Sequence, residues 1–205
     1  MVSVKSSPLA QPLSLLIRLD SIIRRLDPAS LFSTAQPLEV ELGSGDGSFL
    51  VNYAKHRPDR NFLGVERLLG RLRKLDRKGR RAGLTNLRGI RIESAYLVEY
   101  LLPPGSVAAL HIYFPDPWPK RKHRKFRLIN ERFAVIAHQV LATGGVVYLR
   151  TDDQDYFTQM RSVFDASPLF RLVETDPELS GIITDFERGF QARGIATQRA
   201  AYTKK

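Results

Sequence analysis

Cysteine is absent from this 205-residue chain. That removes a disulfide framework, a thiolate nucleophile and any cysteine-based zinc site. Histidine is scarce, and His56, His111, His123 and His138 match no metal-ligand spacing. No bound metal is expected. No apolar run approaches the roughly 20 residues of a membrane span, and residues 1–12 lack the apolar stretch of a secretory signal. A soluble, cytoplasmic protein is the expectation. Internal repeats and low-complexity tracts are missing too. Acid is short relative to base: 21 Asp and Glu face 32 Lys and Arg, a net charge of +11. Such a field implies a polyanionic partner such as nucleic acid, or an anionic membrane surface. A hydrophobic content of 43% is enough for a substantial core, and the length suits one domain or slightly more.

What is present is an alternation of strand and helix patterns. Residues 1–12 read as a loose tail. Leu15, Leu16, Leu19, Ile22, Ile23 and Leu26 recur at helical spacing, so 13–26 is expected to be a packing helix, ended by Asp27-Pro28. This gives an N-terminal segment 1–36 ahead of a domain at 37–205. Strands are expected near 37–42, 61–65, 86–92, 106–114, 144–150, 170–174 and 195–203. Helices are expected at 48–56, 67–82, 96–102, 128–141 and 155–165. The order predicts an α/β fold with a mostly parallel sheet and right-handed crossovers.

Two junctions stand out. The first is Glu41-Leu42-Gly43-Ser44-Gly45-Asp46-Gly47, a strand entering a glycine turn that opens a helix. Glycine there permits positive φ and close backbone approach by a ligand. Glu66 follows about 20 residues later, where a doubly wound fold places a carboxylate on ribose hydroxyls. A nicotinamide dinucleotide would ask for G-x-G-x-x-G, but the spacing is G-x-G-x-G. Its pyrophosphate would also meet Glu41 and Asp46. S-adenosylmethionine carries an ammonium and a sulfonium and no phosphate, so acids near the turn favour it. The second junction is Phe114-Pro115-Asp116-Pro117-Trp118-Pro119-Lys120. Two prolines stiffen the chain around one aspartate just past a strand, at the sheet edge where open α/β folds bind ligands.

These blocks, with Leu63-Gly64-Val65-Glu66, Arg150-Thr151-Asp152 and Thr184-Asp185-Phe186-Glu187, resemble the bacterial tRNA (guanine-N(7)-)-methyltransferases from about residue 38 onward. The resemblance implies a Rossmann-like class I methyltransferase with a seven-stranded sheet and helices on both faces. It also implies S-adenosyl-L-methionine as donor, and a guanine of the tRNA variable loop as acceptor. By the same resemblance Asp116 is the catalytic residue and also adjoins the donor. Glu41, Gly43, Gly45, Glu66 and Ser94 bind the donor; Lys120, Asp152, Thr184, Asp185, Phe186 and Glu187 bind the acceptor. Ser94, preceded by Glu93, stands where the family usually has Asp or Asn against adenine. Gly189 stands where the family often has a basic residue, with Arg188 alongside. The partner implied is tRNA, with no membrane, and the chain a monomer or homodimer.

The residues suggest roles within that frame. Trp118 and Phe186 are candidates to stack an extruded base, whereas Phe126 and Phe190 read as core. Arg67, Arg71, Lys74, Lys78 and Arg81 form a stripe along one helix, and only Asp76 opposes it. A second basic run, from Lys120 to Arg127, adjoins the aspartate. Two alternatives stay open: a methyltransferase acting on another RNA or base nitrogen, and a non-catalytic RNA-binding protein that retains the fold.

Overall fold

A computed structural model describes residues 14–205; the tail expected at 1–12 lies outside them. Strands β1 (Leu16–Ile17), β2 (Leu38–Leu42), β3 (Asn61–Val65), β4 (Leu87–Ile90), β5 (Val107–Tyr113), β6 (Leu141–Thr151), β7 (Phe170–Val173) and β8 (Gln198–Lys204) form one sheet. Their order is β1-β4-β3-β2-β5-β6-β8-β7. Only β8 runs against its neighbours. The strand order reverses between β2 and β5, so the crevice of an open α/β sheet falls beside their carboxyl ends.

The helices are α1 (Ser48–His56), α2 (Leu69–Arg81), α3 (Ser94–Tyr96), α4 (Glu131–Val140), α5 (Gln154–Asp165), α6 (Pro177–Gly181) and α7 (Asp185–Gln191). Short α3 continues into a π turn over Leu97–Leu101. Side chains alternate across a strand. Leu38, Val40 and Leu42 of β2, Leu110 and Ile112 of β5, and Val147 and Leu149 of β6 join the larger core cluster. The opposite face is different. It carries Glu39 and Glu41, His111 and Tyr113, Tyr148 and Arg150 at the intervening positions, against the aromatic cluster of Phe49, Tyr53 and Phe62.

The eighth strand replaces the expected N-terminal helix. Leu16 pairs with Gly89 at the sheet edge. The Leu15 N–H donates to Asp76 Oδ1 at 2.7 Å, and Arg80 holds the same carboxylate at 3.1 Å. Asp76 is therefore turned inward to fasten this segment, and does not neutralise the basic stripe. The apolar residues share no face: Leu15 is buried, while Ile22 and Ile23 are exposed. Edge hydrogen bonds thus outweigh helical spacing here.

Candidate active site

The glycine turn needs its glycines. Gly43, Gly45 and Gly47 have φ of 85°, 55° and 76°, and a Cβ on Gly47 would sit 2.7 Å from the Leu75 side chain. The turn leads into α1 beside a small ionic cluster. Lys78 donates to Asp46 Oδ2 at 2.6 Å, and Ser48 Oγ donates to Asp46 Oδ1 at 2.7 Å. Partial burial opposes ionisation of Asp46, but the bonds from Lys78 and Ser48 hold its carboxyl below the usual range. Ser48 Oγ also bonds Asp185, which ties the turn to α7.

The loop after β5 is held from below. Phe114 and Trp118 both have positive φ, 50° and 44°, a sparsely populated region for such side chains. The Phe114 N–H still donates to Arg150 O at 2.8 Å. Arg127, almost fully buried, donates through Nε to Pro117 O at 2.7 Å and through Nη1 to Gln159 at 2.8 Å. Its Nη2 pairs with Asp155 at 2.5 Å, and its guanidinium lies 4.7 Å from the Tyr156 ring centre. Arg127 was legible only as one of a run of surface cations.

Two cavities flank this loop. A cavity of about 360 Å³ is lined by Glu66, Glu93, Ser94, Trp118 and Phe126 among others. A cleft of about 620 Å³ takes in Glu41, Gly45, Asp152, Thr184, Asp185 and Phe186. Gly43, Tyr113, Phe114, Pro115 and Asp116 line both. Asp116 is exposed, on the shared wall, and nothing among the described residues hydrogen-bonds its carboxylate.

The acids differ in their partners. Glu66 Oε1 accepts from the Leu68 N–H at 2.7 Å, at the start of α2. Glu93 caps α3, accepting from the Ala95 and Tyr96 N–H groups at 3.0 and 2.7 Å; Ser94, beside it, also lines the cavity. Glu41 is buried, and its Oε2 has no hydrogen-bond partner among the described residues. Burial pushes its carboxyl up to about 8, against the pull of Arg150 and with help from Asp46 and Glu66.

Two expected acceptor residues are not brought to either cavity. Lys120 sits exposed at the start of the 3-10 turn Arg121–Phe126. Glu187 is fully buried. It accepts from Arg150 at 2.9 Å, Arg199 at 2.8 Å and the Thr184 N–H at 2.9 Å. Burial alone would raise its carboxyl; Thr184, Arg199 and Arg150 together hold it low. Thr184 Oγ1 in turn accepts from the Glu187 N–H, a reciprocal cap on α7. Glu187 therefore fixes α7, and α7 presents Asp185 and Phe186 to the cleft. Its partner Arg150 also bonds the carbonyls of Leu179 and Ile182, with its guanidinium 4.4 Å from the Tyr113 ring centre.

The aromatic expectations divide in the same way. Phe126 is more than half exposed and packs on Trp118, so it is not core. Phe190 is half-buried, 5.4 Å from Phe114, and lines the cleft. A polar layer was missed altogether: His111 lies 2.8 Å from both Glu39 and the Tyr113 hydroxyl. Its signal was present in L-E-V-E-L, L-H-I-Y and V-Y-L-R, where polar residues alternate through central strands.

An open sheet with this strand order, a glycine turn after β2 and an aspartate after β5 defines a Rossmann-like methyltransferase. The fold resembles the 16S rRNA methyltransferase KamB at a TM-score of 0.62 and 16% identity, covering 86% of this chain and 91% of that one. It resembles TrmN from Thermus thermophilus at 0.59 and 17%, over 83% and 45%. A family model described as "Putative methyltransferase" matches residues 35–200. The tRNA (guanine-N(7)-)-methyltransferase of Rubrobacter xylanophilus is 34% identical over 178 residues, 85% of this chain and 79% of that protein. The Bordetella pertussis protein of the same name is 37% identical over 148 residues, 72% of this chain; the match spans 58% of that relative's length. The chain belongs to the tRNA (guanine-N(7)-)-methyltransferase family.

Proposed function

We propose that this chain transfers a methyl group from S-adenosyl-L-methionine to N7 of a guanine in the variable loop of tRNA. The observation that carries the reading is the position of Asp116, on the wall between a cavity suited to a nucleoside and a cleft suited to a base. The residues fit the donor. Buried Glu41 Oε2, unpartnered among the described residues, is a natural counter-ion for an ammonium, and none of those residues occupies Glu66 Oε2, which suits a ribose diol. When bound, the donor supplies an electrophilic methyl on a sulfonium.

Guanine N7 has a lone pair and no proton, so no base is needed to strip it. The chain's task is alignment, which is worth roughly 7–11 kcal/mol at best. In this reading Asp116 faces both reactants, and Asp152 and Asp185 accept from the N–H donors of the guanine edge. A carboxylate close by also favours the positive charge that methylation creates. Phe186, half exposed, stacks the extruded ring beside Phe114 and Phe190.

The cationic stripe on α2 would deliver the RNA. Arg67 and Arg71 border the smaller cavity, Arg71 and Lys74 the cleft, and Lys78 and Arg81 the groove beyond it. Such contacts position a backbone without reading sequence. In this reading the protein meets its tRNA in the cytoplasm. No helix among the described residues is long and apolar enough to cross a membrane.

The test is incubation with bulk tRNA and methyl-labelled S-adenosylmethionine, then digestion and nucleoside mass analysis. Label in 7-methylguanosine is the expected result. Label in another nucleoside supports a different acceptor, and no label in any RNA supports a binding protein.

A further inference from the structure

We propose that Trp118 and Phe126 form the apolar wall against which the adenine ring of the methyl donor packs, and that the target guanine is left to Phe186, Phe190 and Phe114. This rests on the donor reading above. The two aromatic groups sit on opposite sides of Asp116. Trp118 and Phe126 line the smaller cavity and not the cleft; Phe186 and Phe190 line the cleft and not the smaller cavity.

The smaller cavity has the character of a nucleoside site. Glu66 and Ser94, the residues read as donor-binding, line it together with the two aromatic side chains. Among the described residues only the Leu68 N–H donates to Glu66, and Ser94 beside Glu93 offers a hydroxyl to a ring edge.

The aromatic pair is built to stay in place. Its rings pack on each other, 5.4 Å apart at 56°, and together form one apolar wall of the cavity. Trp118 is 37% exposed and Phe126 55%, so both carry apolar surface that the protein leaves uncovered. Trp118 adopts its positive φ on a loop that buried Arg127 holds through the Pro117 carbonyl. A strained residue over-determined by its surroundings is a mark of a ligand clamp.

Trp118 is the chain's single tryptophan, so its emission reports this site alone. Wild-type protein is titrated with S-adenosylhomocysteine, following tryptophan emission and, in parallel, calorimetric heat. The expected result is a saturable emission change with the calorimetric midpoint, and little further change when tRNA is added. Trp118→Ala is expected to raise the Kd for S-adenosylhomocysteine about tenfold and Phe126→Ala about fivefold, in keeping with one lost base–aromatic stack. Trp118→Phe should recover most of the affinity, and the KM for tRNA should stay within about twofold throughout. Emission that stays constant at calorimetric saturation, or moves only with tRNA, overturns the proposal. So does a raised KM for tRNA with an unchanged donor Kd in folded Trp118→Ala. If folded wild type gives no heat with S-adenosylhomocysteine, the donor reading itself is overturned, and this assignment with it.

Discussion

Glu41 and Glu187 are two buried glutamates that stand in contrast on the two sides of the site. Both are read from sequence as ligand-binding acids. Glu187 has three donors, two of them arginines, and its carboxyl is held low. Glu41 Oε2 has no partner among the described residues, and burial lifts its carboxyl to about 8. A buried charge that is fully partnered is architecture. A buried charge left short of partners is costly unless something arrives to complete it. Glu41 is thus an acid left waiting for a partner, and Glu187 a member of ion pairs that aim α7.

The largest expected effect belongs to the acid between them. Asp116→Ala should lower kcat about a thousandfold, about 4 kcal/mol, with donor Kd within about threefold. Lost donor binding with normal turnover of the bound complex would move Asp116 to the donor side of the contrast. Next, Glu187→Gln leaves Arg150 buried without its counter-ion and should cost about 3 kcal/mol of stability. At this chain length that is a fall in Tm of roughly 6–12 °C. An unchanged Tm with a raised KM for tRNA would make Glu187 a ligand residue after all.

Glu41→Gln should do the opposite to stability. The folded carboxyl titrates at about 8, the unfolded one near 4.3. Between those values the native state holds the extra proton, so the unliganded protein loses stability as pH rises towards and through 8. Wild type should lose on the order of 2 kcal/mol between pH 6 and 9; the variant should lose none of this, yet bind donor at least tenfold more weakly. Equal pH slopes in chemical denaturation would break the contrast. The smallest effect lies outside it: Lys74→Glu with Arg81→Glu should weaken tRNA binding several-fold at low salt. The same pair should reduce the log–log salt slope by about 2. An unchanged slope would leave the α2 stripe a merely solvated face.

Much of this arrangement was legible, because the punctuation is local. The glycine turn sets the start of α1 at Ser48, and the paired prolines set the end of β5. Glu41, Glu66, Asp116 and Asp152 each close or follow an expected strand of a parallel sheet, so one shared edge could be expected for them. What was hidden depends on distant partners. Helical spacing at 15–26 hid an edge strand, since Asp76 and Gly89 lie more than 60 residues away. Glu187 could not be told from Glu41 without Arg150 and Arg199 in view. Phe126 passed for core because an exposed aromatic and a buried one look alike in sequence.

The most direct measurement is a crystal structure with S-adenosylhomocysteine. Its sulfur should lie beside Asp116, its amino-acid end towards Glu41 and its ribose towards Glu66. Density elsewhere, with the glycine turn bare at saturating ligand, would contradict the division of the site.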